Sequence, residues 1–168
     1  GRHFSRNTSL QIVSARVRKT TQDRKIEIQR VALDLAFEVG PDQVTTGMIA
    51  DQLGLTQPAI YKHFPRKDDI WNAVADHLTE RIAANIRRAE QTVCPPDVRL
   101  RKLVMDHLQL VRESPALPEI MVVRNKQDER ANLQTRMQAS MAQFRNALVA
   151  NVSAASAEGI FRADIDAS

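Results

Sequence analysis

From about Thr20 onward, hydrophobic residues recur at helical spacing through most of the 168-residue chain. In RKIEIQRVALDLAFEV, Ile28, Ala32, Leu35, Ala36 and Val39 fall at i, i+4 and i+7 steps and predict one buried helix face. Gly40 is expected to close this helix as a left-handed C-cap, and Pro41 prevents its continuation. VTTGMIADQLG predicts a short second helix entered from a threonine N-cap, with Ile49, Ala50 and Leu53 inward and Gly54 as its stop. Thr56 then caps a third helix, Gln57–His63. Pro58 would cost about 3 kcal/mol in a helix interior, but here it lies in the first turn, where no N–H partner is lost. Pro65 ends the element. KDDIWNAVADHLTERIAANIRRAEQ predicts a long fourth helix with Ile70, Trp71, Val74, Leu78, Ile82 and Ile86 along one side. Cys94-Pro95-Pro96 breaks it, and further helices are expected at about 97–113, 116–125 and 127–156. The last carries Leu133, Met137, Met141, Phe144, Leu148 and Val152. The expected fold class is all-α, without internal repeats.

Two short helices joined by a tight glycine-containing turn form the helix-turn-helix pattern. Small Ala50 allows close approach, Gly54 accepts the turn's positive φ, and Ile60 packs the second helix on the first. An αα-hairpin with no nucleic-acid partner would show the same packing. The outward face of the second helix separates the two readings, because it offers Thr56, Gln57, Tyr61, Lys62 and His63. Glutamine can read adenine in a bidentate manner, and Pro58 and Ala59 can press on thymine methyls. Tyr61, Lys62, His63 and Lys67 suit phosphates, which position the protein and carry no sequence information.

Charge strengthens this picture through its placement. The net charge is +4, yet residues 1–67 hold 11 Lys+Arg against 6 Asp+Glu, while residues 68–168 hold 13 against 14. Arg2, Arg6, Arg16, Arg18, Lys19, Arg24 and Lys25 make the opening segment the most basic part, which points to a polyanion partner at that end. Residues 1–20 are expected to form a flexible basic arm, 21–67 the DNA-binding domain and 68–168 a second helical domain. No run approaches the ~18 apolar residues of a membrane span. A single cysteine, Cys94, fits a reducing cytoplasm. The sequence holds no glycine-rich phosphate loop, CxxC pair or HExxH. His77 and His107 each follow an aspartate, which makes no metal set and no catalytic set. Neither enzyme activity nor a cofactor is expected.

TTGMIADQLGLTQPAIYKHFPRKDDIWNAV resembles the DNA-binding signature of the tetracycline-repressor (TetR) family of transcriptional regulators. Thr46, Ile49, Ala50, Gly54, Leu55, Thr56, Ile60, Tyr61, His63, Phe64, Lys67 and Ile70 fill the motif in register without a gap. The resemblance implies that Gln57, Pro58 and Tyr61 read bases or base steps, and that Thr46, Thr56, His63 and Lys67 hold phosphates. Two departures stand out. Gly47 occupies the place of an arginine that reaches a guanine in the tetracycline repressor, so the operator should differ. Ala36 takes the place of the usual aromatic of the first helix and Phe37 follows it, which predicts local repacking of the core.

For the second domain the resemblance implies a small inducer bound among helices four to seven, which tilts the fourth helix and shifts the two recognition helices of a homodimer. Met105, Leu108, Met121, Met137, Met141 and Phe144 are the candidate lining for a lipophilic effector. GIFRADIDAS resembles the turn that precedes two further family helices, which build the dimer interface and are absent from this chain. RESPALPEIMVVRNKQDER resembles the corresponding segment of TetR-like nucleoid-occlusion factors, which respond to DNA and a division protein. The sequence therefore predicts a cytoplasmic repressor released from a palindromic operator by a small molecule. The alternative is a nucleoid-associated factor controlled by DNA and a protein partner.

Overall fold

The computed structural model describes residues 19–121 and 131–159. All seven helices of this region belong to one contiguous hydrophobic core, and no strand occurs among the described residues. They are α1 (Thr21–Val39), α2 (Thr46–Leu53), α3 (Gln57–His63), α4 (Lys67–Gln91), α5 (Pro96–Glu113), α6 (Leu117–Ile120) and α7 (Ala131–Ala157). Residues 1–18 of the arm expected over 1–20, the end of the helix expected at 116–125, and nearly all of GIFRADIDAS lie outside the described residues, while Thr20 of that arm caps α1.

Local chemistry sets the boundaries. Thr20 and Asp23 form a reciprocal capping box at the start of α1, with bonds of 3.1 and 3.2 Å. Thr45 Oγ1 accepts the Met48 N–H at 3.1 Å, and Thr56 Oγ1 accepts the Ala59 N–H at 3.3 Å, so each helix of the pair begins on a threonine. Gly54 adopts the left-handed conformation, φ 65° and ψ 31°, and the Leu55 N–H returns to the Ala50 carbonyl at 2.8 Å. Gly40 differs from the expected cap. Its φ of 87° is positive but its ψ of 146° lies outside the left-handed helical region, and Pro41 opens a short 3-10 turn, Pro41–Gln43, before α2.

Ile28, Val31, Ala32, Leu35 and Ala36 of α1 are buried with Ile49 and Ala50 of α2 and Ile60 of α3. Two α1 expectations fail. Phe37 is 57% exposed and Val39 is also exposed, so neither repacks or extends the core. Phe37 lies about 100° around the helix from buried Ala36, and Val39 is the last helical residue, where the chain turns away at Gly40.

Helix α4 runs from the base of the α2–α3 pair into the second bundle, a length of about 37 Å at 1.5 Å per residue. It packs against α1 at one end and against α5 and α7 along the rest. Ile70, Trp71, Val74, Leu78 and Ile82 are buried, and Ile86 is half-buried. Polar cross-links supplement this seam. Buried Asn85 donates to the Asp106 carbonyl of α5 at 3.3 Å, and buried Gln134 of α7 donates to the Ile120 carbonyl at 3.1 Å. Arg99 donates to the carbonyls of Ala89 (3.1 Å), Cys94 (3.2 Å) and Thr92 (3.4 Å), and so ties the end of α4 and the loop after it to α5. On α7 the buried stripe includes Leu133, Met137, Ser140, Phe144, Asn151 and Ala155, and Val152 is exposed. Five turns of 3.6 residues carry the phase of Leu133 to position 151, one residue before the predicted valine.

Candidate nucleic-acid interface

Helix α3 has one buried face and one exposed face. Ile60 is fully buried, and Phe64 behind it is buried beneath the Lys25 ammonium, 5.5 Å from the ring centroid. Thr56, Gln57, Pro58, Tyr61 and Lys62 are exposed, Ala59 and His63 half-exposed. The residues proposed to meet a groove therefore share one accessible surface, while the packing residue between them faces inward. His63 is divided: its Nδ1 is buried without a hydrogen-bond partner in the described structure. Lys67, half-exposed, opens α4, where the Asp69 carboxylate accepts the Arg66 N–H at 2.9 Å.

Tyr61 is 42% exposed, and its hydroxyl lies 3.1 Å from Thr46 Oγ1, so the ring is held upright against the first turn of α2. Thr46 itself is only 8% exposed, and its hydroxyl is engaged inside the protein. Its position was legible in the motif. Its pairing with Tyr61, 15 residues away, is tertiary and left no local signal. Gly47, beside it, lies against the Gln57 side chain.

The charge of this end is partly consumed internally. Lys19 and Arg24 both pair with Glu27, and the Lys19 hydrogen bond holds the Glu27 carboxyl below the usual carboxylate range. Lys62 and Lys67 make no ion pair among the described residues, which leaves two ammonium groups on the α3 side. Arg66, with its side chain 75% exposed, adds a cation that motif matching did not single out. A cationic surface with amide, hydroxyl and small apolar groups at its centre can hold phosphates at its edge and read base edges between them.

The effector residues do not converge. Met105 is 59% and Leu108 56% exposed, on the outer face of α5, so this chain alone cannot place them in a pocket with Met137 and Phe144. The inward phase of α5 runs through Leu103 and Leu110, and both residues fall well over 90° from it. Met137 and Phe144 are buried core, Met121 and Met141 half-buried against it, and Phe144 stacks on His107 with centroids 4.1 Å apart. A groove of about 590 Å³ between α1 and α4 and one of about 470 Å³ between α4 and α7 are lined by other residues. Among the described residues no group of three or more His, Cys, Asp or Glu could hold a metal ion. No helix among them is long and apolar enough to cross a membrane.

Comparisons with known proteins agree with the fold. Residues 28–74 match the family model described as bacterial regulatory proteins, tetR family. The nucleoid occlusion factor SlmA of Haemophilus influenzae is 27% identical over 125 residues, covering 71% of this chain and 56% of that protein. The chain thus spans little more than half the length of this curated relative. The class A tetracycline repressor protein from transposon 1721 of Escherichia coli is 44% identical over 62 residues, covering 36% of this chain and 29% of that protein. Among solved structures, a TetR transcription regulator from Haloarcula marismortui superposes with a TM-score of 0.62 at 28% identity, covering 86% of this chain and 76% of that one. The helix-turn-helix pair, the linking α4 and the bundle beyond it follow the fold of that regulator, and residues 28–74 place the N-terminal region of the chain in the tetR family of bacterial regulatory proteins.

Proposed function

We propose that this chain is a sequence-specific DNA-binding regulator that acts as a homodimer, with α3 of each copy in a major groove of a palindromic operator. One observation carries the reading: α3 buries Ile60 and exposes Gln57, Pro58, Tyr61 and Lys62 on a single surface. Gln57, Pro58 and Tyr61 read bases. Lys62, His63, Lys67 and the Thr56 hydroxyl engage phosphates. Thr46, with its hydroxyl turned to Tyr61, contributes through that side chain. Half-sites must sit about 34–36 Å apart, so a change in the tilt of α4 of a few ångströms forfeits one of them.

Two modes of control fit this head. In the first, a small lipophilic effector enters the bundle near Met121, Met137, Met141 and Phe144 and releases the repressor. The second is a nucleoid-associated factor governed by DNA and a protein partner. It is favoured by the reach of the similarity to nucleoid occlusion factors, which covers 71% of this chain, and by the outward placement of Met105 and Leu108. Selection of bound duplexes from a random pool, with and without a panel of lipophilic metabolites, tests both levels. A palindromic consensus supports the DNA reading, and its absence overturns it. Release by a metabolite supports the first mode of control, and binding unchanged by the whole panel supports the second.

A further inference from the structure

We infer that Gly47 is a specificity-determining residue that acts by positioning: its missing side chain leaves the space in which the Gln57 amide lies against the first turn of α2. This rests on the proposal that α3 reads DNA. A Cβ at position 47 would stand 3.0 Å from Gln57 Nε2 and 3.6 Å from Gln57 Cδ. The first distance is tighter than ordinary van der Waals contact, so the amide must give by a few tenths of an ångström for a Cβ alone and further for the branches of valine.

The partner that must yield is identifiable. The backbone of α2 is anchored by the Thr45 cap and by buried Ile49 and Ala50, whereas the amide is the free end of a long side chain on the exposed surface. A side chain at 47 would therefore displace Gln57 and leave the helix in place, and alanine favours a helix over glycine. The adjacent residue, Thr46, supports Tyr61 through the hydroxyl contact at 3.1 Å. One turn of α2 thus carries both proposed base readers, Tyr61 by a hydrogen bond and Gln57 by a vacated volume. The space beside Gly47 lets the Gln57 amide lie against α2 at the surface proposed to meet base edges.

The test compares the full chain with Gly47→Ala, Gly47→Val and Gln57→Ala, and with both Gly47 substitutions in the Gln57→Ala background. The probes are duplexes carrying the consensus and the three alternative base pairs at the position whose preference Gln57→Ala removes. Gly47→Val is expected to reduce that preference about tenfold, the scale of one bidentate base contact. Gly47→Ala should reduce it part of the way, and neither substitution should alter preference once Gln57 is alanine. Helical circular dichroism establishes that each variant is folded, and Gly47→Ala decides the matter should the valine variant unfold. A full preference retained in a folded Gly47 variant overturns the inference. So does an equal change in the Gln57→Ala background, which would mean that the new side chain touches DNA itself. If Gln57→Ala leaves the consensus intact, glutamine is no reader and the inference falls with it. If the unsubstituted chain selects no consensus at all, the DNA reading itself has failed.

Discussion

The contact between Thr46 and Tyr61 gives a prediction in which two roles for Thr46 differ in magnitude and in additivity. The family resemblance gives Thr46 a phosphate, whereas the free protein turns its hydroxyl toward Tyr61, 3.1 Å away, and leaves the residue only 8% exposed. Thr46→Val keeps the shape and removes the hydroxyl. The Tyr61 hydroxyl loses a protein partner at a surface that water can reach, so the stability cost should stay near the lower end of a hydrogen bond's net contribution, about 0.5–1 kcal/mol. Loss of the support should free the ring and weaken operator binding by a similar energy, roughly two- to fivefold. Binding is measured by fluorescence anisotropy at one fixed salt concentration for the parent, Thr46→Val, Tyr61→Phe and the double variant. If Thr46 acts through Tyr61, its effect vanishes in the Tyr61→Phe background, with a coupling energy of about 0.5–1 kcal/mol. Additive losses would refute the positioning role and return Thr46 to the phosphate. No variant changes charge, so the salt slope should be unaltered in all four.

Other consequences can be checked separately. Lys67→Ala should weaken binding to all duplexes alike and reduce the slope of log affinity against log salt by about 0.9; an unchanged slope removes Lys67 from the phosphates. Ile60→Ala, at a fully buried position, should destabilise the chain by about 2–5 kcal/mol in denaturant titration, and a loss below 1 kcal/mol would contradict the packing of α3. Burial lowers the His77 and His107 pKa below the ordinary histidine value, so the unfolded chain binds more protons just below pH 6.5. Stability should fall as pH drops through 6.5 toward the lower folded-state values, and His107→Phe should flatten that dependence.

The sequence carried the fold where local rules act alone. Thr56 and Pro58 open α3, and Gly54 ends α2 in the left-handed conformation, at the positions where capping and proline chemistry place them. The expected α4 seam from Ile70 to Ile82 is buried because a long continuous helix holds its phase against one partner layer. Legibility ended where phase or tertiary context decides. Val152 is one residue out of phase after five turns, Val39 lies at a helix end, and Met105 and Leu108 are on the outer face of α5 although their chemistry suits a pocket. At the candidate interface, the exposed residues of α3 could be named from their spacing. The supports could not: Thr46 under Tyr61 and Gly47 beside Gln57 are contacts between helices, visible only once α2 and α3 are docked.

The central claim is that the outward surface of α3 is what meets DNA. Its most direct test is residue-resolved: backbone amide NMR shifts of the chain, followed as a selected operator duplex is added. The account predicts that the largest changes fall on Thr56–His63 and the first turn of α4, with Gly47 and Thr46 responding through their partners. Shifts concentrated on α5 or α7, with α3 silent, would contradict it.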